Sequence, residues 1–125
     1  MFIKFFFKYI YLSLNDNMVL LWENPSPTSD FEEQTISLDF SKYNFVILTS
    51  LFTKTDRWVC ATLVLPTNIQ SQYFRSATTD NVNIPLSREG SISPTGIYFK
   101  YGYYQGHTDA MMIPFQIIGI REGSS

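Results

Sequence analysis

Phe45 to Thr53 reads FVILTSLFT and Trp58 to Leu65 reads WVCATLVL, with only Lys54-Thr55-Asp56-Arg57 between them. Two β-rich apolar runs joined by four polar residues predict a hairpin, placed by its apolarity at the centre of a sheet. Pro66 ends the second run, because it cannot donate to a continuing ladder. Working back from this hairpin, Gln34 to Phe40 alternates cleanly. Ile36, Leu38 and Phe40 share one face and Thr35, Ser37 and Asp39 the other, the pattern of a half-buried strand. Ser41 to Asn44 reads as the turn between them. Further back, Val19 to Glu23 is a first strand, closed by Asn24-Pro25-Ser26-Pro27, which forces an extended loop reaching to Phe31.

Working forward, Gln72 to Ala77 and Asn81 to Leu86 are weaker strand candidates, with Pro85 implying an edge or a bulge. Gly90 to Gly96 reads as a Ser- and Pro-containing turn region. Ile97, Phe99 and Tyr101 then alternate with Tyr98 and Lys100, which assigns Tyr101 to the core face. Met111 to Ile120 is the last strand, and Pro114 requires an irregular position near its start. Helical periodicity is nowhere sustained. About eight strands at this spacing predict an all-β, antiparallel two-sheet β-sandwich, with a jelly roll as a candidate form.

The full chain of 125 residues is one domain's worth, 45% apolar and 17% aromatic. Its 9 basic and 11 acidic residues are scattered, with no basic run of the kind that tracks a phosphate backbone, so nucleic acid is not an expected partner. The single cysteine, Cys60, excludes an internal disulfide framework, and the single histidine, His107, excludes two-histidine metal motifs.

The opening MFIKFFFKYIYLSLNDN is interrupted by Lys4 and Lys8 and is too short for a bilayer span, so no membrane insertion is expected. A secretory signal would keep its basic residues ahead of the apolar run and offer a small-x-small cleavage site, which Ser13 to Asn17 lacks. Of these 17 residues, 13 are Phe, Tyr, Met, Ile, Asn or Lys, the products of AT-rich codons. The expectation is that residues 1–17 are a start-site extension and that the natural product begins at Met18, with 7 basic and 10 acidic residues and a net charge of -3. The alternatives are a secretory signal peptide and a genuine strand or short helix over Phe2 to Leu14. Residues 18–122 form the single domain and 123–125 a frayed tail.

Candidate chemistry is sparse. His107 and Asp109 stand two apart but lack a third metal ligand. Asp30, Glu32 and Glu33 lack the spacing and central glycine of a calcium loop. No Gly-x-Ser-x-Gly elbow occurs, and eleven acidic residues single out no glycosidase pair. Cys60 lies in an apolar strand, where a thiol is inert packing. A hydrolase assembled only in the fold therefore has no visible acid pair or triad, and the chain reads as non-catalytic, with no cofactor expected. The distinctive feature is the tyrosine-rich Tyr98 to Tyr104. Each tyrosine couples a rigid apolar face to a polar tip suited to sugars or protein interfaces. Tyr98, Tyr103 and Tyr104 are the surface candidates for ligand or partner contact, with His107 beside them.

One ordered set of segments adds a resemblance. Leu21-Trp22-Glu23-Asn24-Pro25-Ser26-Pro27-Thr28, Phe31, and Gln34 to Ser41 with Tyr43 come first. Gly96-Ile97-Tyr98-Phe99 and Gly102-Tyr103-Tyr104 follow, and Ile113-Pro114-Phe115-Gln116-Ile117-Ile118-Gly119-Ile120-Arg121 closes the set. Over roughly residues 20–121 this resembles a small domain of tail-associated structural proteins of bacteriophages and prophages of gut bacteria. The Trp-x-Asn-Pro-x-Pro opening and Ile-Pro-x-x-Ile-x-Gly-Ile ending carry it. The resemblance implies a virion component, a fibre-tip or baseplate module made in the bacterial cytoplasm before assembly. Its implied partners are other virion proteins, further copies of itself (a trimer among the options) and a host-surface receptor such as a glycan. It carries over no catalytic residue. The alternative reading is a stand-alone carbohydrate-binding β-sandwich module.

Overall fold

A computed structural model describes residues 17–121; the expectations for the N-terminal extension and the frayed tail lie outside the described residues. Among the described residues nine strands follow in order: β1 (Met18–Glu23), β2 (Gln34–Ser37), β3 (Phe45–Thr53), β4 (Val59–Pro66), β5 (Gln72–Thr79), β6 (Pro85–Ser93), β7 (Gly96–Tyr103), β8 (His107–Thr108) and β9 (Met111–Ile120). They form two antiparallel sheets. One runs β1-β9-β3-β4, the other β2-β7-β6-β5 with β8 paired to β7. The fold is the all-β two-sheet sandwich that the alternation predicts. Between the sheets lie Leu48, Ile97, Ile113 and Ile117 with an aromatic knot around Phe99. Phe31 and Phe74 meet the Phe99 ring edge-on at 5.4 and 5.9 Å between centroids, an arrangement aromatic quadrupoles favour.

Three expectations are corrected. The β3–β4 hairpin exists, yet its β4 is an edge strand and the sheet centre is β9 beside β3. Val64 on β4 is 61% exposed, so an apolar run does not by itself mean a central strand. The residues from Gly90 to Ser93 are strand rather than turn, and Pro94 and Thr95 alone link Ser93 to its partner Gly96. The β6 stretch hides its alternation because two of its inward positions are Arg88 and Gly90 between Leu86 and Ile92. Pro85 does not mark an edge strand: it opens β6, which lies between β5 and β7, and a first residue tolerates the missing donor.

Pro114 does sit at an irregularity. On β9, Pro114 faces Ser50 and Gln116 faces Thr49, leaving Phe115 as the extra residue. Asn24, buried at the end of β1, locks this bulge. Its backbone N–H donates to the Phe115 carbonyl at 2.8 Å and its side-chain amide to the Pro114 carbonyl at 2.9 Å. The Asn24 side-chain oxygen accepts the Ser26 N–H at 2.8 Å, so the Asn-Pro-Ser-Pro turn begins with an Asx turn that satisfies its own polar groups. Cys60 lies on the edge strand β4, half-buried, with its Sγ 3.5 Å from Met112 Sδ. Burial pushes its thiol up to about 11, which keeps it protonated and unreactive at neutral pH.

Candidate functional site

The outer face of the five-stranded sheet is shaped by a bulge where β6 meets β7. Along β7, Ile97 and Phe99 point into the core and Tyr98 and Lys100 outward. Strict alternation would next send Tyr101 inward. Instead Gly90 pairs with Phe99 and Arg88 with Gly102, so Glu89 alone opposes both Lys100 and Tyr101. The extra residue turns Tyr101 outward, Gly102 inward and Tyr103 outward. Tyr101 is therefore not a core residue.

Arg88 explains why the bulge stands where it does. Its side chain is 2% exposed and donates to four carbonyls: Nε to Met112 at 2.8 Å, Nη1 to Lys100 at 2.8 Å and Phe31 at 3.1 Å, and Nη2 to Met111 at 2.9 Å. The guanidinium carbon also lies 5.3 Å from the Phe31 ring centroid. Burial pulls the guanidinium down to about 10 while the charge of Asp109 raises it, so it is still a cation at neutral pH. Arg88 thus ties β6 to β7, β9 and the loop after β1. The Met112 backbone, at φ 51, is held in the left-handed region at the same place.

Outward from this anchor, Arg75, Ala77, Ser87, Glu89, Lys100, Tyr101 and Tyr103 line a groove of about 440 Å³ on the sheet face. Arg75 Nη2 bonds Glu89 Oε2 at 2.9 Å and Lys100 Nζ lies 4.0 Å from Glu89 Oε1, leaving two cations to one carboxylate. The hydrogen bond and charge of Arg75 hold Glu89 below the ordinary carboxylate range. Tyr101 and His107 stack at 4.1 Å between centroids and 11° between planes, with Lys100 Nζ 5.0 Å from the Tyr101 centroid. His107 Nε2 lies 3.2 Å from Asp109 Oδ1, which orients the imidazole. Tyr103, 49% exposed, opens on the groove.

The four sequence candidates are therefore only partly brought together. Tyr103 lines the groove, and His107, paired with Tyr103 across β7 and β8, supports it through Tyr101. Tyr98 is on the same face near β2, its hydroxyl hydrogen-bonded to the Glu33 carboxylate, which raises its pKa. Tyr104 is elsewhere: its hydroxyl donates to Asp80 Oδ2 at 2.6 Å at one end of the sandwich. Sequence reasoning missed Arg75, Glu89, Lys100 and Tyr101, which lie on three different strands or beyond a bulge that no local pattern announces. Among the described residues no three His, Cys, Asp or Glu side chains gather to hold a metal ion. No model of a protein family matches the chain, and no curated protein or solved structure compared with it matches either.

Proposed function

We propose that the protein is a non-catalytic recognition module, a tail-associated component of a phage or prophage particle that contacts the host surface through the outer face of its five-stranded sheet. The observation that carries the reading is the β7 bulge, which sets Tyr101 and Tyr103 on one open face beside Arg75 and Lys100. Rigid tyrosines with charged groups at their rim are what a specific contact surface requires. The resemblance to tail-associated domains supplies the virion setting. Mass spectrometry of particles released by inducing the source strain tests it. Peptides from residues 18–121 are expected in the particles, and their confinement to the soluble or secreted fraction would end the virion reading.

The same groove favours a second reading, a stand-alone carbohydrate-binding module. Sugar rings stack on tyrosine faces, and the excess of cations over carboxylates here selects acidic glycans over neutral ones. On a glycan array, binding is expected to concentrate on acidic glycans and to fall on the order of tenfold in Tyr103→Ala, the loss typical of an exposed aromatic contact. An array with no binder, or one whose binding is unchanged by that substitution, would remove glycan recognition by this face.

A further inference from the structure

A second groove, chemically opposite to the first, lies at the end of the sandwich where the β3–β4 and β5–β6 turns flank one space. Its volume is about 590 Å³, within the range of small-molecule sites, with Leu86 and Met111 among its apolar lining. On one side stands Trp58, at 52% exposure the more open of the two groove aromatics of its hairpin. Its ring stacks on Phe52 at 4.6 Å and 18°, which covers one indole face and fixes the orientation of the other. The loop carrying it is also fixed: Thr53 Oγ1 accepts the Asp56 N–H at 2.7 Å, and the Thr53 N–H donates to the Asp56 carbonyl at 3.1 Å.

The polar lining is acidic. Asp80 is held on one oxygen by the Val82 and Ile84 N–H groups at 2.9 and 2.8 Å and on the other by the Tyr104 hydroxyl. The Tyr104 hydrogen bond, foremost, holds the Asp80 carboxyl below the ordinary carboxylate range. Asp56 of the facing turn also lines the groove and is its second acidic residue. Among the described residues no lysine or arginine lines the groove, Arg57 beside Asp56 included. Two carboxylates without a cation, set beside a half-open indole, complement a positive charge carried on an apolar group, since such a charge gains from both the ring quadrupole and the Coulomb field.

We propose that this groove binds an organic ammonium ion, with the Trp58 indole as its cation–π surface and Asp56 and Asp80 as its counter-charges. An anion is repelled there, and a neutral polyol gains neither attraction. The ammonium can come from a choline-type headgroup or from a lysine side chain, and the two differ in substitution at nitrogen.

Titration of the full chain at constant ionic strength, followed by tryptophan fluorescence, tests this with choline chloride, lysine amide and glucose as probes. A saturable response to choline or lysine amide is expected, with a dissociation constant on the order of 1 mM. The tighter of the two identifies the source. Trp58→Ala, followed by calorimetry because the substitution removes the reporting indole, abolishes binding, and Asp56→Asn, an exposed change that leaves the fold intact, weakens binding on the order of fivefold. The proposal is overturned by no saturation up to about 100 mM of either ammonium probe, by an equal response to glucose, or by unchanged affinity in Asp56→Asn. None of these variants touches the tyrosine face, so that reading stands or falls separately.

Discussion

Arg88→Met is expected to destabilise the protein by about 4 kcal/mol, a large share of the ~5–15 kcal/mol that holds a typical domain. Arg88 is buried, and its guanidinium satisfies the carbonyls of Phe31, Lys100, Met111 and Met112. Methionine fills most of the volume but donates nothing. Four carbonyls on three segments then face an apolar side chain, and each unsatisfied buried acceptor costs about 1–3 kcal/mol unless water or a backbone shift relieves it. Arg88→Lys recovers less than half of the loss, because three donors on one nitrogen cannot span the positions that the planar fork reaches. Urea unfolding is the measurement. At a slope of ~2 kcal/mol/M the midpoint of Arg88→Met falls by about 2 M. A fall of less than a quarter of that would mean that the carbonyls are solvated in the variant and that Arg88 is not the tie described.

Gly102→Ala should cost about 3 kcal/mol by overpacking and should also disturb the tyrosine face. A Cβ at this position would lie 2.5 Å from the Thr108 carbonyl oxygen, 2.9 Å from the Met111 carbonyl oxygen and 3.1 Å from Arg88 Nη2. Two of these neighbours are backbone and the third is locked by four hydrogen bonds, so the clash is relieved only by moving β8 or β9. Displacing β8 breaks its pairing of Tyr103 with His107 and Gly102 with Thr108 and unstacks His107 from Tyr101. The expected signature is a midpoint loss in urea together with a changed chemical shift for the sole histidine. Because residues 88 and 102 touch, the double variant Arg88→Met, Gly102→Ala should be less destabilised than the sum of the singles. An additive double variant with an unshifted histidine would separate the glycine from the arginine tie.

These two residues also mark the limit of what the chain discloses by reading along it. Phe45 to Thr53 and Met111 to Ile120 are strands at the bounds their apolar runs indicate, and the two-sheet sandwich follows from alternation and turn residues, which are properties of neighbours in sequence. The irregularity at Pro114 is equally local, since a missing N–H in the interior of a strand interrupts its ladder. Strand β6 was hidden because an arginine and a glycine occupy inward positions, and only partners on other strands make those residues suitable there. Tyr103 was legible as an exposed tyrosine. Tyr101 was not, because a bulge of one residue reverses every side chain beyond it and its position answers to carbonyls that Arg88 gathers from β7, β9 and the loop at Phe31. The pairing of Trp58 with Asp80 across one groove is likewise a product of two hairpins meeting. Sequence by itself thus determined the sandwich and most of its strands, β6 excepted, through periodicities within single segments. Tertiary structure alone decided which way β7 faces beyond Lys100 and which charges share a groove, because burial of one cation and closure of two sheets act between segments far apart in the chain.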